Sequence, residues 1–352
     1  MFNKLALPLL SITILISGLH LLRELLIPLA LATLLVYLTE PLNRMLIRLR
    51  IPGVFRVPVI LGVTTLGVLG LSRLVMSNLL ALGKSLPHYE ARLDELLSDL
   101  LNGLGLERSE FEFLKGDQNW FAYLQPETLT SLLSSGFVQT LDFLGNLALV
   151  LLFMIYLLFE REAFSLRIQR LFQGERSRQV LEIMAQINEA VLSYLNIKTM
   201  VSAVTGLSTA IILWLFGVEF AVFWGFLTFM LNFIPTVGSL LAIIPPVLLA
   251  VIQLDSISLV LLVLTSLGVL QFLVGNVIEP LVLGDRLNLS PLVVLLSLIF
   301  WGWLWGVVGM LLSVPIMSAV KITLARTPGG ELWAQFMEDP RKTHDRPPTT
   351  DH

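Results

Sequence analysis

The chain has 352 residues, of which 55% are hydrophobic and only 14% are charged. Soluble domains average about 25% charged residues, so this composition, with a mean hydropathy of +0.82, excludes an ordinary soluble domain and predicts a polytopic membrane protein. The net charge of −3 gives no indication of nucleic-acid binding, and the lack of cysteine excludes disulfides and thiol chemistry.

Residues 1–82 are predicted to form an N-terminal scaffold of three spans. Apolar runs at residues 5–22 and 25–38 are separated by only two polar residues, which predicts a helical hairpin, and residues 57–82 form the third span. The loop before the third span is basic and holds no acid after Glu40: its arginines are Arg44, Arg48, Arg50 and Arg56. By the positive-inside rule this loop and the N-terminus are expected in the cytoplasm. Binding of lipid phosphate is the alternative role for these arginines.

Residues 83–136 and 137–198 each contain a predicted amphipathic helix. The first segment is polar and acidic, and we interpret it as an extracytoplasmic helical cap. The second comprises a fourth span, residues 137–159, and a basic cytoplasmic helix with an apolar stripe from Ile183 to Leu195.

Residues 199–321 are predicted to form a transport core. A span at 199–216 precedes an apolar region, 220–253, that is broken at Asn232-Phe233-Ile234-Pro235-Thr236-Val237-Gly238. After the span at 257–274 comes a polar island, residues 275–286, with Glu279 at its centre. A carboxylate so close to hydrocarbon is costly unless it has a partner or a task. Residues 322–352 are polar and are expected to form a flexible cytoplasmic tail.

Two stretches of this core resemble one another. Val237-Gly238-Ser239-Leu240-Leu241 is similar to Val308-Gly309-Met310-Leu311-Leu312, and each follows a broken apolar run. The similarity is short, so chance and a true repeat remain equal explanations. We predict that residues 220–253 and 292–320 form re-entrant hairpins that enter from opposite sides, because this arrangement places the basic tail in the cytoplasm. The predicted fold is therefore all-α and polytopic, with about eight transmembrane elements including two broken, re-entrant hairpins.

The breaks themselves carry a family resemblance. The stretch from Asn232 to Gly238, Gly275-Asn276-Val277-Ile278-Glu279-Pro280 and Trp305-Gly306-Val307-Val308-Gly309 resemble motifs of the autoinducer-2 exporter family of bacterial permeases. The resemblance implies a multi-pass protein of the bacterial inner membrane with both termini in the cytoplasm. It also implies assembly into a homo-oligomer, a pentamer, and elevator-like movement of the hairpins.

The family's named substrate is a small, polar, furanone-derived signalling molecule, whereas other members are associated with sodium/proton exchange. This sequence departs from the family pattern at Thr236, where many relatives carry an aromatic residue, and at Val274, where relatives often place an acid before Gly275. The missing carboxylate favours export of a neutral solute over cation coupling.

The candidate pathway residues are polar side chains at the breaks. They are Asn232, Gln271, Asn276 and Glu279. For Glu279 the alternative is helix capping or pairing with Arg286; for the two asparagines it is backbone capping. The candidate hinge or break residues are Pro235, Gly238, Gly275, Pro280, Gly284, Gly306, Gly309 and Pro315.

The sequence is interpreted as a secondary transporter that exports a small polar solute by alternating access. The alternatives are a sodium/proton antiporter and a membrane scaffold without transport activity. No nucleophile–base pair, metal cluster or phosphate-binding loop is recognisable, so neither an enzyme nor a cofactor or bound metal is expected. The expected partners are membrane lipids, the solute, a proton or sodium ion, and further copies of the chain.

Overall fold

The computed structural model of this chain describes residues 2–104, 136–172, 174–235, 237–283 and 288–339. Within these ranges the ordered elements are helices and none is a strand, which confirms the all-α prediction. By length and composition alone, five stretches of described helix could cross a membrane, and a bent N-terminal pair raises the number to six. One of the five, residues 291–325, folds back on itself at Gly306. The count of about eight transmembrane elements is therefore not confirmed.

The N-terminal scaffold differs from the predicted hairpin. Helices α1 (Phe2–Leu21) and α2 (Arg23–Leu38) meet at 80° instead of lying antiparallel. A short helix, α3 (Glu40–Arg48), follows, and then α4 runs for 52 residues as Gly53–Leu104. At about 1.5 Å per residue α4 is roughly 78 Å long, so the predicted third span and the first part of the polar cap form one helix. The rest of the cap, residues 105–135, lies outside the described residues.

Helix α5 (Gly136–Leu171) is followed by α6 (Glu175–Leu215), the central helix of the protein. The predicted cytoplasmic helix and fifth span are one unbroken helix of 41 residues. Its N-terminal half, including Val191 and Leu195, packs with Leu312 and Val314. Its C-terminal half, including Leu213, packs in a second apolar cluster with Val218, Trp224 and Leu249. One helix therefore supports both broken regions of the chain.

The first broken region is a helical hairpin. Helix α7 (Ala221–Leu231) and helix α8 (Val237–Gln253) have 11 and 17 residues, or about 16 and 25 Å, so neither reaches across a hydrocarbon core of about 30 Å. The turn between them contains Asn232 and Pro235, whereas Thr236 lies outside the described residues. A Cβ atom on Gly238 would lie 1.8 Å from the carbonyl oxygen of Leu231. Only glycine lets the two arms come so close.

The second broken region folds back in the same way. Helix α11 (Pro291–Ala325) breaks at Gly306, whose φ of 64° and ψ of −144° are a conformation that side-chain-bearing residues rarely adopt. The Ser297 hydroxyl donates a 3.0 Å hydrogen bond to the Ser313 carbonyl, although residues 16 apart in a straight helix would be about 24 Å apart. A Cβ atom on Gly309 would lie 1.9 Å from the carbonyl oxygen of Trp301. The two predicted helical hairpins are thus present.

Between the hairpins the chain passes through irregular helix. Helix α9 (Ile257–Leu273) continues into a π-helix (Val274–Ile278) and then a short helix, α10 (Glu279–Leu283). The Glu279 N–H bonds to the Val274 carbonyl five residues earlier. Pro280 has no backbone N–H, so it cannot make an α-helical bond to the Asn276 carbonyl four residues earlier. Gly284 and Arg286 lie outside the described residues.

The last described element, α12 (Glu331–Phe336), packs against α11. Lys321 forms a 3.1 Å ion pair with Glu338, and the Ser290 N–H bonds to the Met337 carbonyl. The part of the predicted tail up to Asp339 therefore contains a helix that is attached to the second hairpin.

The far end of α4 is joined to the base of the first hairpin by polar side chains. The Tyr89 hydroxyl donates a 2.6 Å hydrogen bond to Glu219 and accepts one of 3.1 Å from Gln253. Arg92 forms an ion pair with Asp255 nearby. These contacts, here called the α4 latch, connect the predicted cap to the core.

Candidate functional site

The site is centred on an ion pair between α6 and α10. The Lys198 ammonium lies 2.5 Å from a Glu279 carboxylate oxygen, and the Lys198 side chain is only 2% exposed. Glu279 is 22% exposed, and both the π-helix and α10 pack against α6. The carboxylate at the centre of the polar island thus has a buried basic partner.

An ion pair with one buried and one partly exposed partner is an expensive feature. Removing two charges from water costs several kcal/mol per ion, and their attraction offsets this only when the geometry is good. Tyr194 lies one helical turn before Lys198 and is also buried. An ionisable pair inside a membrane protein is therefore a candidate functional site.

Lys198 begins a polar stripe along α6. Ser202, Thr205 and Thr209 follow at spacings of four, three and four residues, so that all four side chains share one helix face. All four are 2% exposed or less. A polar stripe buried along an otherwise apolar helix provides hydrogen-bonding groups in the protein interior.

The tip of the first hairpin meets this stripe. The amide of Asn232, 5% exposed, donates a 3.1 Å hydrogen bond to the Ser202 hydroxyl. Further along, a Cβ on either Gly206 or Gly225 would lie 2.5 Å from the carbonyl oxygen of the other glycine. Helices α6 and α7 therefore cross with their backbones in contact, and the hairpin tip is fixed next to Ser202.

Several buried polar atoms along this crossing have no hydrogen-bond partner among the described residues. They are Thr209 Oγ1, Thr228 Oγ1 and Trp224 Nε1. Trp224, Thr228 and Asn232 are four residues apart on α7 and so share one face. Since nearly all buried polar groups in proteins are paired, this interface holds hydrogen-bonding capacity that the described part of the chain does not use.

The predicted pathway residues are not all in one place. Glu279 and Asn232 both contact α6, at Lys198 and Ser202, one turn apart. Gln271 is buried, on the same face of its helix as Leu267 and Val274. Asn276 is exposed, and its amide donates a 3.1 Å hydrogen bond to the carbonyl of Phe272 in its own helix.

The predicted hinge residues lie at or beside the breaks. Gly238, Gly306 and Gly309 permit the hairpin folds described above. Gly275 lies inside the π-helix with open space at its Cβ position, and Pro280 follows it in the first turn of α10. Pro235 lies in the first hairpin turn, whereas Pro315 is buried within α11.

Sequence reasoning missed Lys198 and the α6 stripe as site residues. Lys198 is the last residue of the segment 137–198, whose second half is predicted as a basic cytoplasmic helix with no role in the site. One signal was available: it is the only lysine or arginine between Arg178 and Arg286, the base at the end of the polar island. Among the described residues, no group of three or more histidine and acidic side chains could hold a metal ion.

Long apolar helices, two folded-back hairpins and an ion pair that joins the central helix to the segment linking the hairpins define a multi-pass helical membrane protein with an internal polar site. A comparison with known families agrees. The model of the AI-2E family transporters matches residues 9–329, and the chain belongs to that family of transport proteins.

Individual relatives cover nearly the whole chain. It is 34% identical over 337 residues to the AI-2 transport protein TqsA of Escherichia coli strain K12, with 94% of both chains covered. It is 30% identical over 331 residues to a putative transport protein of Haemophilus influenzae, again with 94% of both chains covered. A putative transport protein of Borreliella burgdorferi is 32% identical over 296 residues, which are 84% of this chain and 79% of the relative.

Proposed function

We propose that this protein is a secondary transporter that exports a small polar solute, such as autoinducer-2, by alternating access. The observation that carries the proposal is the buried Lys198–Glu279 ion pair beside the tip of the first hairpin. The name of the relative TqsA supports the choice of solute. Membership of a transporter family supports a permease without catalytic activity.

The chemistry of the site suits a hydroxylated, uncharged solute. Asn232 offers both a donor and an acceptor, and the Ser202 hydroxyl, which accepts from Asn232, still has its own proton to donate. The Thr205 oxygen can accept, since its proton is donated to the Val201 carbonyl. Lys198 and Glu279 add one cation and one anion that neutralise each other. A site with many hydrogen-bonding groups and no net charge favours a neutral polar molecule.

The two hairpins supply the moving parts of this proposal. The arms of the first hairpin are too short to cross the membrane, and the second hairpin folds back at Gly306. The tip of the first hairpin contacts Ser202, and its base lies near Val218. At the tip of the second, Trp305 donates a 3.4 Å hydrogen bond to the Leu19 carbonyl at the α1–α2 bend. We place the hairpins in opposite orientations around the site, as expected for a pair of inverted units.

The proposed orientation has both termini in the cytoplasm of a bacterium and the protein in the inner membrane as a homo-oligomer. The basic segment from Arg44 to Arg56 supports a cytoplasmic loop before α4 by the positive-inside rule. A cytoplasmic N-terminus then requires that the bent pair α1–α2 enters and leaves the membrane on the same side instead of crossing it. A cysteine introduced at Asn288, in this cysteine-free chain, is then labelled from the cytoplasmic side by a membrane-impermeant maleimide. Labelling only from outside overturns the scheme.

Transport is tested in proteoliposomes loaded with autoinducer-2. Efflux is expected from vesicles with the wild-type protein, and the variant Asn232→Leu is expected to reduce it at least tenfold because the hairpin tip loses its amide. The control is Asn78→Leu, since the Asn78 amide binds only the Leu74 carbonyl of its own helix among the described partners.

Three outcomes separate the candidate functions. Solute efflux that depends on Asn232 supports the exporter. Sodium-driven proton flux without solute efflux identifies an antiporter. Absence of every flux from folded, correctly inserted protein contradicts transport and leaves the scaffold.

A further inference from the structure

A cavity beside α3 is separate from the transport site. Its volume is about 240 Å³, and it is lined by Glu40, Pro41, Arg44, Met45, Arg48 and Asn196. Five of these residues belong to α3 and the sixth belongs to α6. The cavity therefore lies where the short basic helix rests on the central helix.

The cavity has the polar groups that a phosphate requires. Arg44 is held by a 3.0 Å bond from Nε to the buried carboxylate of Glu40, which also accepts a bond from Asn43. Arg48 has no ion pair or hydrogen bond with any residue that the structure describes. With two guanidinium groups and one carboxylate, the cavity has a net charge of +1, and the exposed amide of Asn196 adds a hydrogen-bond donor.

The surface around the cavity is apolar. Met45, Ile47 and Leu49 are 51%, 49% and 63% exposed, and Val54 and Phe55 are exposed as well. A short helix that exposes arginine next to large apolar side chains suits the boundary between lipid head groups and acyl chains. A soluble anion would bind the arginines, but it would make no contact with these exposed apolar side chains.

We propose that this cavity binds the head group of an anionic phospholipid, with the phosphate between Arg44 and Arg48. The acyl chains lie along the exposed side chains of Met45, Ile47 and Leu49. Glu40 orients the Arg44 guanidinium, and Arg48 is the cation that the chain leaves for the lipid. The site is independent of the transported solute, because its lining residues include none of the residues placed in the transport site.

Lipid binding is measured by native mass spectrometry of the delipidated protein, titrated with phosphatidylglycerol or phosphatidylcholine. The wild-type protein is expected to prefer phosphatidylglycerol, and Arg48→Gln to weaken its binding roughly fivefold, as for the loss of one arginine near an anionic surface. The control Arg170→Gln makes the same charge change at an exposed position away from the cavity and is expected to bind like wild type.

Two further arms of the experiment decide the source of the phosphate. Inorganic phosphate at millimolar concentration is expected to leave lipid binding unchanged; competition by phosphate alone would identify a soluble-anion site and overturn the proposal. If Arg48→Gln and Arg170→Gln weaken phosphatidylglycerol binding equally, the lipid is held by general charge attraction and not by this cavity. Arg48→Gln is preferred over Arg44→Gln, because the latter leaves the buried Glu40 carboxylate without its arginine and can disturb folding.

Discussion

Gly238 and Gly309 occupy equivalent positions in the two hairpins. Each lies just after the break, and a Cβ on either glycine would come within 1.9 Å of a carbonyl oxygen on the opposite arm, that of Leu231 or of Trp301. The two glycines also occupy the same position in the two similar sequence stretches. The agreement of sequence with local geometry favours a true structural repeat over chance.

The first prediction concerns these two glycines. Gly238→Ala and Gly309→Ala are each expected to lower the free energy of unfolding by about 1–3 kcal/mol, as overpacking does, because the arms must separate to accommodate the methyl group. The control is Gly268→Ala in α9, where no atom lies within 4 Å of the Cβ position. It is expected to be neutral or slightly stabilising, since alanine favours helix by about 1 kcal/mol. Thermal unfolding in detergent is measured for all three variants. Equal changes in unfolding temperature for the two hairpin variants and the Gly268→Ala control would contradict the close approach of the arms.

The second prediction tests the fold of α11 directly. Cysteines introduced at Ser297 and Ser313 are expected to be joined by a short thiol cross-linker, because the two residues are hydrogen-bonded across the hairpin. The matched control pair is Ser177 and Ser193, which are also 16 residues apart but lie about 24 Å apart in the unbroken α6. Cross-linking is read by mass spectrometry of peptides. Failure at 297/313 in folded protein would show that α11 is extended.

The third prediction concerns the ion pair. Glu279→Leu is expected to destabilise the protein more than Lys198→Met does, because it leaves a lysine that is 2% exposed without a counter-charge, whereas Glu279 is 22% exposed. Loss of one partner of a buried pair costs about 3–5 kcal/mol, and replacing both is often close to neutral. The double variant is therefore expected to be more stable than either single variant.

The measurement for the ion pair is a double-mutant cycle from unfolding free energies. The reference cycle uses Arg178 and Glu175, whose side chains are 69% and 61% exposed, and is expected to give a coupling of about 0–1 kcal/mol. Additive effects at Lys198 and Glu279 would mean that the two groups do not interact in the folded protein.

The fourth prediction concerns the α4 latch. Tyr89→Phe removes a hydrogen bond to Glu219 and another from Gln253, which is expected to cost about 1–3 kcal/mol, mostly because hydrogen-bonding groups lose their partner. Faster amide hydrogen exchange is expected at both ends of the first hairpin. Tyr156→Phe is the control, because Tyr156 is 63% exposed. Unchanged exchange near residues 219 and 253 in Tyr89→Phe would exclude the latch as a restraint.

Composition and the pattern of apolar runs were enough to predict the helical class and the positions of both breaks. Glycine and proline mark those breaks because their backbone restrictions act locally. The Lys198–Glu279 contact joins residues 81 positions apart, and local pattern carries no information about such pairing. The continuity of α4 and α6 was missed for another reason: a change from polar to apolar surface marks the membrane boundary, but it does not end a helix.

The π-helix before Glu279 has a consequence for how the ion pair can open. Lys198 belongs to an unbroken helix, whereas the Glu279 N–H closes a five-residue hydrogen-bonded turn. If that turn tightened to ordinary α-helical winding, every following side chain would rotate by about 100° about the axis. A one-residue change in local winding would then turn the carboxylate away from the ammonium group, while the central helix kept its place.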